Sequence, residues 1–112
     1  MKQVDESFIS LYLDRKQFKN VLDVGSGGSS NWQQKVNIFV DYFDFSSNYP
    51  GKKFFRHDLN SSESLPFSDK EIDFLICSHC IEHVNDPLSV FSEFSRIAKT
   101  CKMPGSLEND LL

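Results

Sequence analysis

Apolar positions along this chain alternate between two spacings. Phe8, Leu11, Tyr12 and Phe18, with Arg15 among them, recur at helical intervals and predict a short helix ending near Lys19. Val21, Leu22 and Val24 then form a compact apolar run, the pattern of a strand buried on both faces of a parallel sheet. Val36 to Val40 repeats that pattern and stops at Asp41, Lys53 to Arg56 is a third short strand, and Ile72 to Cys77 is a fourth. Between the first two strands, Ser29 to Lys35 leaves room for at most about two helical turns. A turn at 46–51 precedes strand three, and Leu65-Pro66-Phe67 with Ser68-Asp69-Lys70 forms a loop before strand four. Pro87 marks a helix start, and Leu88, Phe91, Phe94 and Ile97 draw an amphipathic helix through Lys99.

This order, one helix, four strands and a closing helix with short pieces between, predicts an α/β layered domain with about four strands. Residues 1–99 make up that domain. The remainder, Thr100 to Leu112, has neither alternation nor an apolar run and reads as an irregular tail. A fifth strand is expected there and none is visible, which leaves strand four with an open apolar edge for self-association or a partner chain to cover.

Composition narrows the function. A chain of 112 residues is one domain, and its eleven Phe fall mostly in apolar runs that read as core. A net charge of −4 lacks the basic footprint of a nucleic-acid binder. No stretch approaches the roughly 18 apolar residues of a membrane span, and Lys2, Asp5 and Glu6 at the start do not form a leader. Those features predict a cytoplasmic protein that engages neither nucleic acid nor membrane. Three cysteines, an odd number, predict free thiols rather than a disulfide framework.

The candidate chemistry sits where strands end. Gly25, Gly27 and Gly28 follow strand one, where glycine supplies φ > 0 without strain and lets a ligand approach the main chain. Asp41 ends strand two, Asp58 lies just past strand three, and Ser78 and His79 lie just past strand four. In an open doubly wound sheet the carboxyl ends of the strands share one crevice, so these residues converge. Asp41 suits the two hydroxyls of a ribose, although a solvated acid capping a strand has the same sequence.

With VLDVGSGGS, FVD, HDL, LPFSDKEIDFLICSHCIEHVNDP and the EFSRIAK helix in fixed order, the chain resembles the class I S-adenosylmethionine-dependent methyltransferases from Val21 to Lys99. The resemblance implies a Rossmann-like open parallel sheet with flanking helices, S-adenosylmethionine as cofactor and a small-molecule or sugar-type methyl acceptor. It implies that Asp23, Gly25 and Gly27 hold the methionine end and Asp41 the ribose. It also implies that Asp58 and the backbone of Leu59 face the adenine and that the turn at Ser78-His79 passes beside the sulfonium. His79 or His83 is the candidate base for a hydroxyl acceptor. Two departures stand out. Gly28-Ser29 replaces the usual Thr-Gly of the loop, and the C-terminal strands of the full fold are lacking, which reads as a truncated form.

Other readings compete. His79, Glu82 and His83 fit H-x-x-E-H, but Asn85-Asp86-Pro87 breaks any helix that would align them on zinc. The same three residues partly match a divalent-cation group of some ubiquinone-pathway methyltransferases, and no metal is assigned. Cys77 and Cys80 make a lone C-x-x-C that reads as buried free thiols. A nicotinamide-binding domain would place Gly where Ser30 stands. A non-catalytic cofactor-binding remnant, or half of an assembly, is the non-enzyme alternative.

Overall fold

A computed structural model describes residues 6–15, 17–77 and 80–102. The elements run α1 (Glu6–Arg15), β1 (Val21–Val24), β2 (Ile38–Asp41), β3 (Lys53–Arg56), β4 (Ile72–Cys77), α2 (Pro87–Ile97) and β5 (Ala98–Lys102). All five strands are parallel, in the order β3-β2-β1-β4-β5. The fold is the expected open Rossmann-like sheet.

Strand β1 lies at the centre and every one of its residues is buried. Its alternating side chains serve two separate cores. Leu22 and Val24 join Ile38, Val40, Leu75 and the apolar face of α2, whereas Val21 joins Phe39, Phe74, Ile76 and Ile9 of α1. Phenylalanines fill much of both cores, as their positions in the apolar runs imply; Phe39, Phe74 and Phe94 are fully buried. Helix α2 starts as its sequence dictates, with Pro87 in the first turn and the Asp86 carboxylate accepting from the Ser89 N–H.

Three expectations are corrected. The helix read through Lys99 ends at Ile97, and the chain passes directly into β5, where an irregular stretch was expected from Thr100. The edge of β4 is therefore covered by this chain's own β5, and no partner is needed there. Strand β5 escapes the pattern because only Ala98 and Cys101 are buried while lysines occupy Lys99 and Lys102, the composition of a protected edge. Between β1 and β2 a single 3-10 turn, Gln33–Lys35, replaces the expected short helix. Finally, Cys77 and Cys80 form a disulfide instead of two thiols, because the turn after β4 brings their Cα atoms to 6.2 Å, within bridging range. Cys101 is a free, buried thiol as expected.

Side-chain clamps hold the loops of the described residues to α2 and to the sheet. The Arg96 guanidinium on α2 donates to the carbonyls of Leu65 (3.1 Å) and Phe67 (2.8 Å) and pairs with Glu93 and Asp69, holding the loop before β4 on α2. Lys70 Nζ donates to the carbonyls of Ser95 (2.6 Å) and Ala98 (3.1 Å), satisfying groups that the end of α2 leaves open. Asp73 accepts the N–H groups of Lys19 and Asn20, both at 2.9 Å, and so sets the start of β1 against β4.

Arg96→Ala should lower the unfolding free energy by roughly 2–3 kcal/mol, because the Leu65 and Phe67 carbonyls lose charged donors. Arg96→Lys should recover little, since an ammonium cannot reproduce the planar fork. Urea unfolding of the two variants beside the parent measures both.

Candidate functional site

The order of strands reverses direction at β1: β2 and β3 extend the sheet to one side, β4 and β5 to the other. Ligands bind at such a switch point, beyond the carboxyl ends of the strands. A crevice of about 460 Å3 lies there, lined by Gly25 from the bend after β1, Asp41 and Tyr42 from the end of β2, Asp58 and Leu59 after β3, and Cys80 and His83 after β4. Its volume lies within the range of small-molecule sites.

The bend is built on left-handed glycines, with φ of 74° at both Gly25 and Gly27. They have different surroundings. Gly25 donates its N–H to the Val40 carbonyl at 2.8 Å, and a Cβ placed on it would fall 2.6 Å from the Cys80 Cβ. Gly27 faces open space, the position a ligand could approach. Gly28 instead packs on Phe45 and Asn48, so its missing side chain serves protein packing.

Asp41 is half-buried and engaged by backbone. Its Oδ2 accepts the Gly27 N–H at 2.9 Å and its Oδ1 the Tyr42 N–H at 2.8 Å, which ties the glycine bend to the end of β2. Asp58 is exposed and accepts the Asn60 N–H at 2.9 Å through Oδ1. Asp23 does not join these two on the crevice wall. It is 1% exposed and does not line the crevice, because its place in β1 turns it to the same side of the sheet as Val21. Its Oδ2 accepts the Ser30 hydroxyl at 2.6 Å, and its Oδ1 has no partner among the described residues. Burial pushes its carboxyl up to about 7; the Ser30 hydrogen bond opposes that shift and the nearby Asp41 charge adds to it.

Of the residues expected at the site, the structure brings together Gly25, Asp41, Asp58, Leu59 and His83 around the crevice. Gly27 adjoins it through its bond to Asp41. Ser78 and His79 lie outside the described residues. His83 is exposed on a single 3-10 turn, Ile81–His83, 3.8 Å from Glu82. A turn this short cannot provide the long helical face that an H-x-x-E-H zinc site requires. Tyr42, Phe43 and His57 are among the lining residues not singled out from the sequence. Tyr42 and Phe43, 54% and 62% exposed, stand edge to face at the mouth with ring centroids 4.9 Å apart. His57 is held there by its N–H donating to the Asp41 carbonyl at 2.9 Å. A strand ending in an acid and followed at once by two aromatics that no core absorbs is the signal that could have found the first two.

A family model described as a methyltransferase domain matches residues 3–107. Among solved structures the chain is similar to an S-adenosylmethionine-dependent methyltransferase from Thermotoga maritima, at 20% identity over 76% of this chain with a TM-score of 0.61. It is similar to the YcgJ protein from Bacillus subtilis, at 23% identity over 82% of this chain with a TM-score of 0.62. A third likeness is an S-adenosylmethionine-dependent methyltransferase from Mesorhizobium loti, at 14% identity over 84% of this chain with a TM-score of 0.63. At these identities the likeness is one of fold. The chain spans 41%, 46% and 50% of those three proteins, half their length or less. No curated protein sequence matches it significantly.

The Asp23 carboxyl keeps its proton to about pH 7 in the fold, against an ordinary value of 3.8. As pH rises, the unfolded chain therefore loses this proton first. Its contribution to stability is fully present below pH 4 and declines toward pH 7, by an amount on the order of 4 kcal/mol. Asp23→Asn cannot ionise, so its unfolding free energy relative to the parent should rise between pH 5 and pH 7.5. Urea titrations at the two pH values test this, and a constant difference would mean that the buried carboxyl is already ionised in the fold.

Proposed function

The chain belongs to the methyltransferase domain family, and on that premise we propose that it binds S-adenosylmethionine in the crevice beyond β1, β2 and β3 and directs its methyl group to a small-molecule or sugar-type acceptor. The observation that carries this reading is the juxtaposition of Asp41 and Asp58 with the open backbone of Gly27 at one sheet edge.

The residues fit the cofactor chemically. Asp41 offers carboxylate oxygens to the ribose hydroxyls, in competition with the Gly27 and Tyr42 N–H groups that it accepts. Tyr42, Phe43 and Leu59 give the crevice apolar surface on which a purine can lie, and Asp58 offers an acceptor at its edge. The Asp41 carboxylate on the crevice wall favours a cation, and the cofactor carries both an ammonium and a sulfonium. When bound, the cofactor supplies a methyl group activated by its positive sulfur.

The chain's own contribution is alignment and exclusion of water. Gly25, fixed by the Val40 carbonyl and abutting Cys80, sets how far the loop after β1 stands from the turn after β4. His83 at the rim could take a proton from a hydroxyl acceptor, and His79 is the other candidate base. A second reading is a cofactor-binding module without turnover. It is favoured by the single 3-10 turn in place of a helix after the glycine bend.

Calorimetric titration with S-adenosylhomocysteine should give saturable binding, and Asp41→Ala should weaken it about tenfold or more, the effect of losing charge-assisted hydrogen bonds. Absence of heat at millimolar ligand would remove the cofactor assignment. For turnover, transfer of a labelled methyl to candidate hydroxyl and amine acceptors separates an enzyme from a binding module. His83→Ala should lower the rate about a hundredfold without altering S-adenosylhomocysteine affinity if His83 is the base.

A further inference from the structure

We propose that Cys77 and Cys80 form a reversible thiol–disulfide site whose state sets the affinity of the crevice for its cofactor. The inference rests on the cofactor reading above and adds a control to that same site.

Position distinguishes this pair from an ordinary structural bridge. Cys77 is the last residue of β4 and is paired in register with Val24, the last residue of β1, immediately before Gly25. Cys80 lies in the following turn, lines the crevice, and occupies the space that a Cβ on Gly25 would need. The bridge thus ties Cys80 to the end of its own strand β4, which is paired with β1 beside the glycine bend, and so fixes covalently where Cys80 stands against Gly25. Cys77 is 1% exposed and Cys80 9%, so exchange begins at the sulfur that borders the crevice. The third cysteine stands aside. Cys101 lies in β5 opposite Leu75, fully buried, and burial pushes its thiol up to about 12, which keeps it protonated and unreactive.

The exchange step balances with an external dithiol as reductant. A thiolate of that dithiol attacks Cys80 Sγ, the bond between the two cysteine sulfurs breaks, and Cys77 leaves as a thiolate that takes up a proton. The second thiol of the reductant then attacks the mixed disulfide and closes its own ring. Cys80 is released as a thiol, and the reductant has lost the two electrons the protein gained. In the oxidised state the turn is already in place against Gly25, so binding need not order it. In the reduced state the turn is tethered only by backbone and packing, and the ligand must hold it. The oxidised chain should therefore bind more tightly, by roughly fivefold or more, the lower end of ordinary coupling between two sites.

The test uses the full chain purified without reductant and the same chain after dithiothreitol treatment under native conditions. Alkylation in denaturant followed by mass measurement should count one thiol before treatment and all three cysteines after it. Calorimetric titration with S-adenosylhomocysteine should then show the tighter binding in the oxidised sample. Cys80→Ser should bind like the reduced chain and lose its response to dithiothreitol, with circular dichroism melting to confirm that it folds. Should the variant not fold, the comparison of the two redox states of the parent decides alone. Three alkylated thiols before treatment, or one after it, would overturn the proposal, as would equal affinity in the two states. Absence of binding in both states, with the expected thiol counts, would overturn the cofactor reading and the control together.

Discussion

The bare Cα of Gly25 is the constraint on which the crevice depends. Strand β1 is buried on both faces and must turn sharply at its end without leaving polar backbone unpaired. Gly25 achieves this with a left-handed φ and an N–H donated to Val40, while Cys80 from beyond β4 moves into the space a side chain would fill. Adding even a methyl there places carbon on carbon at 2.6 Å in a conformation that L residues avoid. The ends of β1, β2 and β4 are thereby drawn together at one point. The acidic tip of β2 and the turn after β4 face each other because this glycine lets them.

Around that point the domain is held less by helices than by side chains that reach between loops. Arg96 and Lys70 join the loop before β4 to the end of α2, Asp73 joins β4 to the approach to β1, and Asn37 accepts the Val21 N–H at 2.7 Å while donating to the Lys19 carbonyl. Each of these side chains satisfies backbone groups that a longer helix or strand would have paired. They set the amino-terminal side and the flank of the sheet, and the register they establish is transmitted along buried strands to the carboxyl ends. The crevice itself can then consist of exposed, short loops.

Electrostatically the site is asymmetric. Asp41 accepts two N–H donors at the crevice, whereas Asp23 nearby is buried, shares only one hydroxyl and keeps its proton to about pH 7. The two carboxyl groups differ in surroundings because one lies half-buried at the strand end among N–H donors and the other stands in β1 between Phe39 and Ile76 of the neighbouring strands.

Much of the scaffold was legible in local patterns. Apolar runs marked β1 and β2, the second ending in Asp41 and beginning at Ile38 rather than Val36, and the runs at Lys53–Arg56 and Ile72–Cys77 matched β3 and β4. The central runs are visible because a strand buried on both faces is apolar at nearly every position, whatever its neighbours are. Asp41, Asp58 and Gly25 were placed at the site by the rule that strands of a parallel sheet end on one edge. What pairs across distance was not legible. Strand β5 exists because β4 offers an edge, and Ala98–Lys102 has no period of its own to announce it. The bridge between Cys77 and Cys80 depends on the angle of a turn, and the withdrawal of Asp23 from the crevice depends on which face of β1 its side chain takes. By itself the amino-acid order determined which segments must be buried and where bare backbone and carboxylates occur, because burial and chirality act residue by residue. Only the packing of the sheet decided which of those groups meet, since that follows from register and crossover and from the space that one missing Cβ leaves for a cysteine.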